Sequence, residues 1–231
     1  MTRHPLPAPP NGELRLVDDV PEAFAALVAT EFASSAERGD ERFGLVLSGG
    51  ETARACYERL GHTAGIDWPS VDILLGDERC VPAGDPAANQ RLVRESLLEP
   101  IGGVARFHAI DCDELSGYGL LLDSQPLDVI HLGLGPDGHT ASLFPGSQAL
   151  ESPPGSLVVS NEDPSGRNPY LRATFTFEAI SRGRLVVFTV AGAAKHEALA
   201  RVMSGEDLPA TRVRAARVLW LCDREALDGN T

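Results

Sequence analysis

Lysine is almost absent from this chain. A single one, Lys195, occurs in 231 residues, and arginine supplies the rest of the 20 basic side chains. No basic run of the kind that grips nucleic acid is therefore available, and the net charge of −13 repels nucleic acid and anionic membranes at long range. Aromatic residues make up only 6%, so the 43% hydrophobic fraction points to a core of aliphatic strands and small-residue helices. No window is long and apolar enough to span a bilayer. The four cysteines, Cys56, Cys80, Cys112 and Cys222, are widely spaced and form no C-x-x-C pair, so reduced thiols in a cytoplasmic protein are expected. H-E-x-x-H, a cysteine cluster and G-x-S-x-G are all missing, which leaves no expected metal site and no serine nucleophile of the usual kind.

The chain does contain short, unalternated apolar runs separated by helical spacing. Leu14–Val17, Phe43–Leu47, Val71–Leu75, Asp128–Leu132, Leu157–Ser160, Ala173–Phe177, Arg184–Val190 and Val218–Cys222 read as strands. Helices are expected after Asp18 or Asp19, from Gly50 to Leu60, over Asn89–Leu98 and over Ala193–Met203. This alternation predicts a three-layer α/β fold, a mostly parallel, Rossmann-like sheet with helices on both faces. The Pro-rich, polar segment 1–12 reads as a loose tail rather than a secretion signal, and 13–231 as one domain.

In such sheets ligands bind beyond the carboxyl ends of the strands. Three polar clusters stand there. Ser48-Gly49-Gly50 follows Phe43–Leu47, and its backbone N–H groups suit an anion at a helix N-terminus, although an ordinary βα turn has the same composition. Asp77-Glu78-Arg79 follows Val71–Leu75. The carboxylates are placed to orient a histidine, and the guanidinium offers a fork of donors to phosphate; a surface turn with an internal ion pair is the alternative. Gly133-Leu134-Gly135-Pro136-Asp137-Gly138 imitates a dinucleotide fingerprint but comes too late in the chain, and it more naturally shapes a tight loop that presents His139. His139 is the candidate general base, because imidazole needs little tuning to act near neutral pH. His131, inside a strand, reads as structural. Lys195 sits where a helix begins, an unfavourable place for a cation unless it meets an anion.

At these residues the chain resembles the 6-phosphogluconolactonases. The matching segments run in order from Leu47-Ser48-Gly49-Gly50 through Gly76–Pro82 with Asp85 and Asn89, then Gly133–Pro145, Arg172 with Thr174 and Thr176, Gly192 with Lys195, and Leu208-Pro209-Ala210. The resemblance implies the fold of the glucosamine-6-phosphate deaminases and ribose-5-phosphate isomerases. It also implies cofactor-free opening of a phosphorylated sugar lactone, with His139 as base and Asp77 or Glu78 orienting it. Substrate would lie among Ser48, Gly49, Gly50, Arg79, Asp137, Gly138 and Lys195, with Arg172 as a further phosphate contact. The expected partner is a small sugar phosphate, with no nucleic acid or membrane, and the chain a monomer or weak homodimer. An amino-sugar-phosphate deaminase or isomerase, or a non-catalytic sugar-phosphate sensor, is the alternative. Deaminases of this type usually carry Glu where Phe144 stands. Glu51-Thr52-Ala53 departs from the Ser-Thr-Pro usual after Gly-Gly, so Glu51 is expected to point away from a bound phosphate.

Overall fold

A computed structural model describes residues 9–229. Seven strands form one wholly parallel sheet in the order β1 (Glu13–Leu16), β10 (Val218–Cys222), β9 (Leu185–Val190), β6 (Val129–Gly133), β2 (Phe43–Leu47), β3 (Val71–Leu75) and β5 (Arg106–His108). Every residue of β2, β3 and β9 is buried, as their mostly apolar sequences require of a sheet covered on both faces, and the one carboxylate among them, Asp72, is paired with Arg42. Helices α1 (Val20–Arg38) and α2 (Glu51–Leu60) pack together against the sheet. Asp19 caps α1 by accepting the Glu22 amide at 2.8 Å, and Pro21 occupies its first turn.

The strand order locates the ligand crevice. From β2 the chain steps outward through β3 to β5, then returns to place β6 on the other side of β2 and continues through β9 to β10. The order reverses between β2 and β6, and loops leaving neighbouring strands at such a switch point diverge and open a cleft. Those loops are Ser48–Gly50 and Leu134–His139.

A second sheet was not expected. Leu157–Ser160 and Ala173–Phe177 do contain strands, β7 (Val158–Asn161) and β8 (Arg172–Phe175), but these do not join the large sheet. They pair antiparallel with each other and with β4, which is Asp77-Glu78-Arg79 itself. The helix expected over Asn89–Leu98 is α-helical over Asn89–Val93 (α3) and continues as a π-helical turn over Arg94–Leu98. The remaining helices are α4 (Leu115–Ser124), α5 (Phe177–Ser181), α6 (His196–Met203), α7 (Pro209–Arg212) and α8 (Arg224–Asp228).

Two expectations need correction. Cys80 and Cys112 are joined in a disulfide, so only Cys56 and Cys222 are free, and both are buried. Of the segment read as a loose tail, residues 1–8 lie outside the described residues, while residues 9–12 are held. Pro9 is buried, and Asn11 Nδ2 donates to the carbonyls of Ala210 and Val213 at 2.9 and 3.2 Å. Among the described residues no helix is long and apolar enough to cross a membrane.

Candidate active site

Beyond the β2 and β6 ends lies a cavity of about 340 Å³. It gathers residues from all three polar clusters: Ser48, Gly49, Gly50, Asp77, Arg79, His139, Arg172 and Lys195 all line it. Asp137, Gly138 and Glu78 do not. Asn89, Ala141, Asn168 and Thr189 also line it, and so does Glu51, the residue expected to turn away from this side. Of these Asn89 and Ala141 had a sequence signal, through the resemblance, whereas Asn168 and Thr189 belong to no motif of their own.

His139 is held from three sides. Its Nδ1 lies 2.5 Å from Asp137 Oδ1, and the same oxygen accepts the His139 amide at 3.1 Å. The Phe144 ring meets the imidazole edge to face at 5.0 Å. Gly135 supplies the remaining wall: a Cβ there would stand 2.2 Å from the imidazole, so only glycine lets the ring lie against this loop. Burial alone would raise the Asp137 carboxyl, but the hydrogen bonds and charge of His139 outweigh it and hold it below the ordinary carboxylate range. An ionised carboxylate only accepts, so the proton between them belongs to Nδ1, and it is the neutral form of the ring that presents a lone pair at Nε2. Gly138 shapes the same loop from behind, its carbonyl accepting the Ala210 amide at 3.1 Å.

The carboxylate beside His139 is thus neither Asp77 nor Glu78. Strand alternation explains why: β4 sends residues 77 and 79 to the cavity and residue 78 to the opposite side. There Glu78 accepts the amides of Asn89 and Gln90 at 2.7 and 2.8 Å, closing the N-terminus of α3. Burial raises its carboxyl despite those bonds. Asp77 faces the cavity but is engaged, accepting from Ser142 Oγ at 2.6 Å and from Asn89 Nδ2 at 3.2 Å. Through Ser142 it braces the loop that carries His139. That loop passes through Ala141 at φ 47°, the one non-glycine residue with positive φ among those described.

The cations are arranged for an anion. In the register of β4 and β8, Arg79 stands directly opposite Arg172. Like charges facing each other across a sheet are destabilising. Neither arginine, nor Lys195, has a carboxylate within ion-pairing distance among the described residues. The Nε atoms of Arg79 and Arg172 are buried without a partner. Arg172 is 5% exposed, and burial together with the Arg79 charge disfavours its cation. Lys195 Nζ donates to the Leu134 carbonyl at 2.7 Å, and burial lowers its ammonium below the usual lysine range. A bound anion would reverse each of these penalties.

Ser48 lines the cavity and also has a structural part. Its hydroxyl donates to the His131 carbonyl at 2.6 Å, and its amide donates to the Tyr57 hydroxyl at 2.8 Å. The Tyr57 hydroxyl in turn contacts His131 Nδ1 at 2.8 Å, and His131 Nε2 contacts Thr189 Oγ1 at 2.8 Å. Ser48 therefore fastens the glycine turn to the buried sheet. Among the described residues no three His, Cys, Asp or Glu side chains are grouped as metal ligands.

Comparison with known proteins adds ancestry to this geometry. The family model for glucosamine-6-phosphate isomerases/6-phosphogluconolactonase matches residues 17–220. A 6-phosphogluconolactonase from Synechocystis is 35% identical over 212 residues, covering 83% of this chain and 85% of that protein. One from Mycobacterium tuberculosis is 36% identical over an alignment 236 positions long, gaps included, covering 90% of this chain and 92% of that protein. The crystal structure of a 6-phosphogluconolactonase from Shewanella baltica aligns with a TM-score of 0.80 at 27% identity, covering 91% of this chain and 98% of the other. A monomeric glucosamine-6-phosphate deaminase shares the fold, with a TM-score of 0.75 at 20% identity over 95% of this chain and 100% of that one. With most of its length matched in sequence and in fold, the chain belongs to the glucosamine-6-phosphate isomerase/6-phosphogluconolactonase family.

Proposed function

We propose that this protein hydrolyses 6-phospho-D-glucono-1,5-lactone to 6-phospho-D-gluconate, the second step of the oxidative pentose phosphate pathway. The observation that carries the reading is the pairing, in one cavity, of a carboxylate-oriented histidine with three cations that lack carboxylate partners. The substrate's phosphate meets the second need and its C1 ester carbonyl the first. The names of the relatives support the same reading.

His139 Nε2 takes a proton from water as the water oxygen bonds to C1, and the carbonyl oxygen becomes an oxyanion. Asp137 steadies the imidazolium that forms. The tetrahedral intermediate then collapses, the bond from C1 to the ring oxygen breaks, and the imidazolium returns the proton to that oxygen. Arg79, Arg172 and Lys195 hold the phosphate remote from C1, so their binding energy positions the reacting carbonyl. The Gly-rich turn closes the cavity wall beside them.

The deciding experiment follows acid release from freshly generated 6-phosphogluconolactone, with glucosamine 6-phosphate tested in parallel. Catalysed lactone opening, lost in His139→Ala with the fold intact by circular dichroism, is expected. No acceleration over spontaneous opening would overturn the proposal, and turnover of glucosamine 6-phosphate instead would favour the deaminase reading.

A further inference from the structure

We infer that Phe144 and Tyr170 are positioning residues, two aromatic rings that hold the Arg172 guanidinium where the substrate's phosphate meets it, and that Phe144 also seats His139. The inference rests on the lactonase reading of the cavity and extends it to side chains that do not themselves line it.

Arg172 is a buried cation without the usual support. Among the described residues it has no ion-pair partner, and its Nε has no hydrogen-bond partner. Burial and the Arg79 charge disfavour its cation by more than Asp77 and Glu78 favour it. What stands beside the guanidinium is aromatic. Its Cζ lies 5.8 Å from the centroid of the Phe144 ring and 5.8 Å from that of Tyr170. Both rings are within the reach at which a ring face attracts a cation. A carboxylate in their place would occupy the guanidinium's donors, whereas a ring supports the charge and leaves the N–H groups to a ligand.

Local structure brings both rings there. The pairing of β8 with β4 runs on past Arg172, the Leu171 carbonyl accepting the Cys80 amide at 2.9 Å. Residues two apart along such a segment share a face, so Tyr170 stands on the side of Arg172. Phe144 follows His139 in the same loop, and that loop is tied to the small sheet. The Ser142 amide donates to Thr174 Oγ1 at 3.1 Å, and Asn161 Nδ2 donates to the Ser142 carbonyl at 2.7 Å. Phe144 is thereby held 1% exposed, its ring centroid 5.0 Å from that of the His139 imidazole. The two rings differ in what they serve: Phe144 packs on the guanidinium and on the imidazole, Tyr170 on the guanidinium.

The test crosses enzyme and substrate. Wild type, Tyr170→Leu, Phe144→Leu, Arg172→Met and Arg172→Met/Tyr170→Leu are each assayed on 6-phosphogluconolactone and on plain gluconolactone. Tyr170→Leu should lose about 3- to 30-fold in kcat/KM on the phosphorylated lactone, mostly through KM, and far less on the plain one. In the Arg172→Met background the same change should add little, as expected of a residue that acts through Arg172. Phe144→Leu should lower kcat on both lactones, because the plain one still needs His139. No loss in Tyr170→Leu, equal losses on both lactones, or the same loss with and without Arg172 would overturn the inference. A Phe144→Leu loss confined to the phosphorylated lactone would overturn the link to His139. Tyr170 is 39% exposed, so its replacement leaves the core intact and decides the question even where Phe144→Leu does not fold. Absence of any wild-type catalysis on the phosphorylated lactone would instead defeat the functional reading, and this inference with it.

Discussion

His131 is buried without exposure beneath the Ser48–Gly50 turn, and burial pushes its imidazole from the ordinary 6.5 down to about 3. In the unfolded chain the same imidazole titrates normally. Between these two values the unfolded state therefore binds more protons than the native state, and stability falls as the solution is acidified. For a single group the loss is on the order of 1 kcal/mol at pH 5.5 and 3 kcal/mol at pH 4.5, relative to neutral pH. Other groups add their own pH dependence, so the informative quantity is a difference between proteins. His131→Gln keeps hydrogen-bonding capacity toward Tyr57 and Thr189 but does not titrate. Urea unfolding at pH 7.5, 5.5 and 4.5 should show the variant less stable than wild type at pH 7.5, with the gap narrowing by those amounts as pH falls. Parallel curves for the two proteins would refute the reasoning, because they would mean that His131 takes up its proton as readily in the native state as in the unfolded one.

Asp137→Asn should keep the loop but remove the ionised acceptor at Nδ1, lowering kcat by roughly 10- to 1,000-fold while KM changes little; an unchanged kcat would show that His139 needs no carboxylate. Lys195→Ala should cost kcat/KM about 10- to 100-fold on the phosphorylated lactone and far less on plain gluconolactone, and equal losses on both would remove Lys195 from phosphate binding. The Cys80–Cys112 bridge closes a loop between positions 32 apart, worth roughly 3–4 kcal/mol by the chain-entropy relation. A Cys80→Ser/Cys112→Ser protein should lose about that much in chemical denaturation, whereas an unfolding midpoint insensitive to the double substitution would contradict it.

The parallel sheet was legible because its central strands are mostly apolar runs, and a run such as Phe43–Leu47 announces burial on both faces, whereas the edge strand Arg106–His108 carries no such signal. The position of the cavity was legible too, since Ser48–Gly50, Asp77–Arg79 and Gly133–His139 each follow such a central strand. Long-range partnership was not. Asp77-Glu78-Arg79 has no apolar residue to mark it as a strand, and it becomes one only by pairing with Arg172–Thr174. The role of Glu78 followed from that pairing, because pleating turned it away from His139. Asp137, two residues before the histidine, was read as a substrate contact; that it pairs with the imidazole depends on the turn at Gly138. The disulfide required Cα atoms 5.7 Å apart, a proximity that spacing along the chain does not reveal. Helix α4 contains Gly117 and Gly119 and lacked a helical signature; Glu114 secures it by accepting the Gly117 amide at 2.9 Å.

The small antiparallel sheet has a kinetic meaning. Its strands β4 and β8 join residues roughly a hundred positions apart, as in Asp77 with Thr174, whereas β2 and β3 are linked by one short helical crossover. Local units close cheaply, and distant ones only after the intervening chain has been ordered. Arg79 and Arg172 are therefore expected to come face to face only after local units such as β2–β3 have formed. Emission from Trp220, stacked on Phe188 at 3.8 Å inside the large sheet, reports on that sheet. During refolding its β9–β10 stacking is expected to recover before the cavity can hold an anion, and simultaneous recovery of the two signals would refute that order.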